Sequence, residues 1–182
     1  MLLDARMSLL LVVDMQERLA PAVADIEQIT ANSVALLSAA DRLSVPARVT
    51  EHCADKIGPT IAPIRGHMAT AAVLSKRYFS ACAESAIVAQ IVATQRSQVV
   101  IAGVETHVCV LQTALDLQRA GYRCFLVEDA SGTRKLPDKQ AAVARMRDAG
   151  VQIVTTEMVL FEWLRRGDSQ AFKDLFPLIR NR

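Results

Sequence analysis

The stretch Gln98–Val127, QVVIAGVETHVCVLQTALDLQRAGYRCFLV, passes from strand to polar turn to helix and back to strand in one run. Gln98–Ala102 is of strand length and rich in Val and Ile, and Gly103 interrupts it. From about His107 to Ala120 the pattern is helical, and Gly121 stands where a left-handed C-cap is expected. Arg123–Val127 is then a second apolar strand. Two almost wholly apolar strands joined through a helix are the unit of a parallel sheet covered on both faces.

The same succession extends in both directions. Toward the N-terminus, Ser8–Val13 reads as a strand and Ile26–Arg42 as a helix with apolar Ile26, Ile29, Val34, Leu37 and Ala40. Pro46 opens a short strand, Ala47–Thr50. Gly58, Pro59, Pro63 and Gly66 make residues 51–70 a long surface excursion. Ala71–Leu74 is a third strand, followed by an Ala-rich helix over Cys82–Thr94. Toward the C-terminus, a helix from near Pro137 closes at Ala149–Gly150 and leads into the strand Val151–Val154. Helical stretches around Glu157–Arg165 and Ser169–Leu175 follow. The fold class is therefore α/β. It is a doubly wound, Rossmann-like three-layer sandwich with a six-stranded, mostly parallel sheet in the order 3-2-1-4-5-6, formed by residues 1–182 as one domain.

Composition agrees and excludes several functions. Hydrophobic residues make up 52% and aromatic residues 4%, so Ala, Val, Leu and Ile must build the core. The 21 basic residues, scattered among 19 acidic ones, give a net charge of +2 and no nucleic-acid footprint. The apolar run Met7–Val13 is far shorter than the ~20 residues of a membrane span and ends in Asp14 with no cleavage signal. Cysteines at 53, 82, 109 and 124 form no C-x-x-C pair and no zinc spacing, which implies a reducing, cytoplasmic setting. No G-x-G-x-x-G follows the first strand, where Asp14-Met15-Gln16 stands, so no nucleotide cofactor is inferred.

Ligands of open α/β sheets bind beyond the carboxyl ends of the strands, near the reversal of strand order. Asp14 ends strand one, Ser75 and Lys76 follow strand three, and Gly103–Cys109 links strand four to its helix. In the order 3-2-1-4-5-6, Asp14 and Cys109 face each other across the switch point. Lys76 starts two strands away, roughly 10 Å at ~4.8 Å per strand, a gap its stem can largely cross. A thiol with a carboxylate and an ammonium is a nucleophilic set: the cation lowers the thiol pKa and the carboxylate takes its proton. With Thr106 as N-cap, Cys109 is the third helical residue, where the dipole and unpaired N–H groups favour a thiolate and an oxyanion.

Each residue also has an ordinary structural reading: a small buried cysteine, a helix-capping Asp, a surface Lys. Their joint position at one sheet edge favours chemistry. His107 lies two residues from Cys109 on a helix, so its ring faces away and is not the base. Glu51, His52 and His67 would need a further ligand and converging geometry to hold a metal, and none is expected. Gln16, Tyr78, Phe79 and Thr106 are candidates for the substrate pocket.

The segments LLLVVDMQ, LSKRYFSA and VVIAGVETHVCVLQTALDLQRAGYRCFLVEDASGTR resemble the isochorismatase-like cysteine hydrolases, which include nicotinamidases and N-carbamoyl amidohydrolases. The resemblance spans roughly residues 8 to 165 and is most specific at Gly103–Val110. It implies Cys109 as nucleophile, Asp14 as general base or acid, and Lys76 as the cationic partner. It also implies a non-proline cis peptide between Val104 and Glu105 that aims N–H groups near Cys109 at the substrate oxygen, so Val104, Glu105, Val108 and Cys109 together make up the cis peptide and oxyanion hole. The implied reaction is hydrolysis of a small amide, carbamoyl or related C–N substrate through a thioester. The Asp-x-His metal element of nicotinamidases is missing after strand two, which points to the short, metal-free branch without cofactor. The name-giving enzyme cleaves a vinyl ether, and a cysteine here argues against that literal activity.

Members assemble as dimers to octamers, so a homo-oligomer is expected, with Phe161, Trp163, Phe172 and Phe176 at an interface. Two other readings stand beside the hydrolase. One is a non-catalytic scaffold or interaction protein that keeps the fold. The other is a redox sensor in which Cys109 oxidises to a sulfenic acid.

Overall fold

The computed structural model describes residues 1–67 and 73–180. Its elements run, in order, β1 (Ser8–Val13), α1 (Ile26–Arg42), β2 (Ala47–His52), α2 (Ala54–Ile57), α3 (Ala62–Arg65), β3 (Val73–Lys76), α4 (Ser85–Val92) and β4 (Gln98–Val104). After β4 come a π-turn, Thr106–Val110, then α5 (Leu111–Arg119), β5 (Arg123–Gly132), α6 (Leu136–Asp148), β6 (Gln152–Val154), α7 (Thr156–Leu164) and α8 (Gln170–Arg180). The strands form one six-stranded sheet in the order β3-β2-β1-β4-β5-β6. Every pairing in it is parallel.

The central strands β1 and β4 are almost continuously apolar because each face of the sheet has its own core. On β1, Leu10 and Val12 join one cluster with Val49, Val100, Phe125 and Val127, closed by residues of α1, α7 and α8. Leu9, Leu11 and Val13 join the other with Val99, Ile101 and Leu126, closed by α4, α5 and α6. The period of two along a strand thus sends alternate residues to opposite helical layers.

At the switch point β1 and β4 approach unusually closely, with Val13 paired to Gly103. Gly103 has φ +114°, and a Cβ there would lie 2.1 Å from the Val13 carbonyl oxygen. Only glycine permits this contact, which brings the loop after β1 beside the loop after β4.

Several boundaries differ from the sequence reading. The third strand is Val73–Lys76, with Ser75 and Lys76 inside it; Ala71 and Ala72 lie outside the described residues. The excursion after β2 holds two short helices, α2 and α3, and its Thr60 bridges antiparallel to Gln16. Thr106 is not an N-cap: Glu105 occupies that position, and the Thr106 hydroxyl donates to the Gly132 carbonyl at 3.0 Å. Cys109 is accordingly the fourth residue of its turn, not the third. Trp163 is core rather than surface, 4% exposed, because its indole N–H donates to the buried Ser8 hydroxyl at 3.0 Å. Among the described residues, no helix is long and apolar enough to cross a membrane.

Candidate active site

Asp14 follows β1 in the left-handed region, φ +50°, a conformation Asp tolerates better than most residues. Its Oδ1 accepts a 2.7 Å hydrogen bond from the Thr50 hydroxyl on β2. Its Oδ2 lies 2.7 Å from the Lys76 ammonium, and both side chains are fully removed from solvent. Lys76 reaches across from β3 and also donates to the carbonyls of Tyr78, at 3.2 Å, and Phe79, at 3.0 Å. A buried ammonium survives only with such a complete set of acceptors. Oδ2 receives no well-aligned hydrogen bond and so keeps acceptor capacity.

Cys109, 5% exposed, sits on the π-turn between β4 and α5, close enough to Asp14 and Lys76 for both to act on its thiol. The structure therefore brings together the three side chains chosen from strand-end positions. It does not lower the thiol pKa. Burial, reinforced by the Asp14 carboxylate, pushes the Cys109 thiol up to about 12, and Lys76 opposes this without overcoming it. The physical reason is that the ammonium's charge is already matched by Asp14, while the sulfur has lost its water. The resting Cys109 side chain is a protonated thiol with a carboxylate and an ammonium beside it.

The turn carrying Cys109 is braced by the segment after β5. Thr133 Oγ1 and His107 Nδ1 are 2.8 Å apart, and Arg134 Nε donates to Glu105 Oε1 at 2.8 Å. The His107 ring is thus turned to Thr133, consistent with its exclusion as the base. The Val104–Glu105 peptide is cis. The Val108 N–H donates to the Glu105 carbonyl at 3.0 Å, so it belongs to the turn and is removed from the set of oxyanion donors. Val104 is buried within β4.

The pocket candidates separate into two kinds. Tyr78 and Phe79 are 61% and 51% exposed beside the carbonyls that hold Lys76, and Phe79 packs on the His52 ring at 5.3 Å. Gln16 and Thr106 have no exposed surface. The Gln16 amide donates to the His52 and Gly58 carbonyls and accepts from the His52 N–H, so it ties the loop after β1 to β2. A cavity of 520 Å³ opens at the sheet edge between Cys53, Asp55, Lys76, Arg77, Tyr78 and Glu84.

Glu51, His52 and His67 do not converge. Glu51 accepts from the Thr60 N–H and hydroxyl, His52 packs on Phe79, and His67 caps the Pro63 carbonyl. Among the described residues no three His, Cys, Asp or Glu side chains gather as a metal site. All four cysteines are free. Burial raises the thiols of Cys82 and Cys124 as well, to about 11 and about 12. Sequence reasoning missed Thr50, which the strand-end rule could have found, since it is the last residue of the strand expected at Ala47–Thr50 and its hydroxyl reaches Asp14.

Comparison with known proteins places the fold. The isochorismatase domain profile matches residues 8–158. The chain belongs to the isochorismatase family. Isochorismatase domain-containing protein 2A of Mus musculus is 33% identical over 174 residues, covering 95% of this chain and 82% of the mouse protein. The YcaC gene product of Escherichia coli, described as an octameric hydrolase of unknown specificity, is 30% identical with a TM-score of 0.92, covering 99% of this chain and 93% of that one. A Caenorhabditis elegans protein described as MAR1 ribonuclease has the same identity, TM-score and coverage. YcaC of Pseudomonas aeruginosa, solved with hexane-2,5-diol and covalent acrylamide, is 29% identical with a TM-score of 0.89, covering 99% and 96%. The isochorismatase-family hydrolase fold is therefore the frame for the site. A 31% identical relative from Phytophthora sojae is a secreted effector, so membership alone fixes no compartment.

Proposed function

We propose that this protein is a cysteine hydrolase that cleaves a small amide, carbamoyl or related C–N substrate through a thioester. The observation that carries this reading is a buried thiol placed beside a buried carboxylate–ammonium pair at the switch point of the sheet, with both partners acting on its charge. As the substrate carbonyl reaches Cys109, Asp14 Oδ2 accepts the thiol proton while the S–C bond forms and the carbonyl becomes an oxyanion. Backbone N–H groups at the start of the turn offset that charge. The C–N bond then breaks, and Asp14 delivers its proton to the departing amine. A water enters, gives a proton to Asp14 and attacks the thioester, the C–S bond breaks, and Asp14 returns the proton to the sulfur. The Lys76 ammonium offsets the negative charge as it passes from Asp14 to the oxyanion and back.

A protonated resting thiol supports a base in direct contact rather than a preformed thiolate. The covalent acrylamide on Pseudomonas YcaC, which requires a nucleophile in that protein, lends support by kinship. The modest net charge and the buried centre favour a small molecule over RNA, although a relative is described as a ribonuclease. We place the protein in a reducing compartment, from its free cysteines, and in a homo-oligomer, from its octameric neighbour and the exposed Phe161 and Phe176.

The test is amine release from a panel of amides, ureido compounds and imides, with RNA as a separate arm. The proposal expects turnover of at least one C–N substrate, lost in Cys109→Ser. Turnover that persists in Cys109→Ser, or cleavage of RNA alone, refutes it.

A further inference from the structure

Away from the catalytic centre, a cavity of 640 Å³ lies between the start of α1, the end of β5 and the start of α6, and neither Asp14, Lys76 nor Cys109 lines it. Its size falls in the range of small-molecule sites. We propose that this cavity binds a small zwitterion with an apolar side chain, an α-amino acid of about leucine size, and that occupancy is felt by the nucleophile turn. The proposal goes beyond the hydrolase reading, and its binding arm does not depend on it.

The chemistry of the walls selects the ligand. Ile29 and the 63% exposed Leu136 supply an apolar side, while Asp25 and Lys139 put opposite charges on the same cavity. Asp25 occupies the N-cap position of α1 with φ +54°, and its side chain makes no capping bond. Among the described residues neither the Asp25 carboxylate nor the Lys139 ammonium has a protein partner. A third charged wall residue, Asp129, accepts from the Thr156 N–H and hydroxyl, which fixes its carboxylate in place. Two carboxylates and one ammonium favour a ligand whose own ammonium is met by acid and whose carboxylate is met by Lys139. An apolar tail then covers Ile29 and Leu136.

Gly132 and Thr133 are both wall of this cavity and brace of the catalytic turn. Thr106 bonds to the Gly132 carbonyl, Thr133 bonds to His107, and the Ala24 N–H donates to the Thr133 carbonyl at 3.2 Å from the α1 side. The backbone of Gly132 packs so closely on the cavity side that an added Cβ would lie 2.4 Å from Ile29 Cδ1. A ligand pressing on Ile29 and Thr133 therefore acts on Thr133, which itself bonds His107, and on Gly132, whose carbonyl holds Thr106, and so on the position of Cys109.

The test is calorimetric titration of the Cys109→Ala protein with L-leucine. Controls are 3-methylbutylamine and 4-methylpentanoate, each of which lacks one of the two charges. The proposal expects saturable leucine binding, weakened ~10-fold or more in Asp25→Asn and in Lys139→Met and for both controls. It also expects saturating leucine to change the alkylation rate of Cys109 in the wild-type protein, and the Thr133→Val change to remove that effect. Absence of saturable binding, or binding unaffected by both variants, overturns the site. An unchanged alkylation rate at saturation overturns the coupling.

Discussion

Replacing Lys76 with Met tests the buried ion pair from which the site is built. Both side chains are fully buried with 2.7 Å between charges, and the same ammonium satisfies the carbonyls of Tyr78 and Phe79. Met fills the volume but leaves the Asp14 carboxylate uncompensated in a medium that cannot solvate it. Removing one partner of such a pair costs ~3–5 kcal/mol, whereas the intact pair contributes little beyond an apolar substitute. Lys76→Met should therefore lose ~3–5 kcal/mol in urea denaturation, a fall of ~6–20 °C in Tm for a chain of this length. Adding Asp14→Asn should restore most of that loss, because the neutral pair leaves no orphaned charge. A Lys76→Met protein within ~1 kcal/mol of wild type, or a double variant no more stable than the single one, would refute the reasoning.

Further outcomes follow from the same geometry. Because the Asp14 carboxylate raises the Cys109 pKa and Lys76 lowers it, the midpoint of pH-dependent alkylation should move down in Asp14→Asn and up in Lys76→Met, read by peptide mass spectrometry. Cys124, pushed from an ordinary 9.0 up to about 12 by burial, stays protonated in the folded chain while the unfolded chain ionises. Stability should thus fall between pH 9 and 12 by up to ~1.4 kcal/mol per pH unit for that thiol, and Cys124→Ala should flatten the slope in pH-dependent urea titrations. Gly103→Ala should cost more than ~4 kcal/mol, since its Cβ collides with the Val13 backbone at a positive φ; a soluble variant with near wild-type Tm would contradict the close approach of β1 and β4.

Much of the architecture was legible because apolar period and glycine position act locally. Gly103 and Gly121 bound the helix of the opening stretch, and the almost wholly apolar central strands required two helical layers. The convergence of Asp14 and Cys109 followed from the strand order. Other features depend on distant atoms. The protonation of Cys109 is set by burial that no spacing reveals, so an electropositive neighbour alone suggested the wrong direction. Thr106 has the residue type of an N-cap, but the Gly132 carbonyl competes for its hydroxyl. Gln16, placed one residue past Met15, resembles a pocket residue until the carbonyls of His52 and Gly58 claim its amide. Trp163 sits among exposed aromatics in sequence, yet Ser8, far away along the chain, gives its indole a buried partner.

The most direct test of the central claim is rapid acid quenching during turnover of an activated amide or carbamoyl substrate, followed by intact and peptide mass spectrometry. The account predicts an added acyl mass on the peptide carrying Cys109, absent in Cys109→Ser and slow to form in Asp14→Asn. Turnover without any adduct on that peptide, or an acyl adduct confined to Cys53, Cys82 or Cys124, would contradict it.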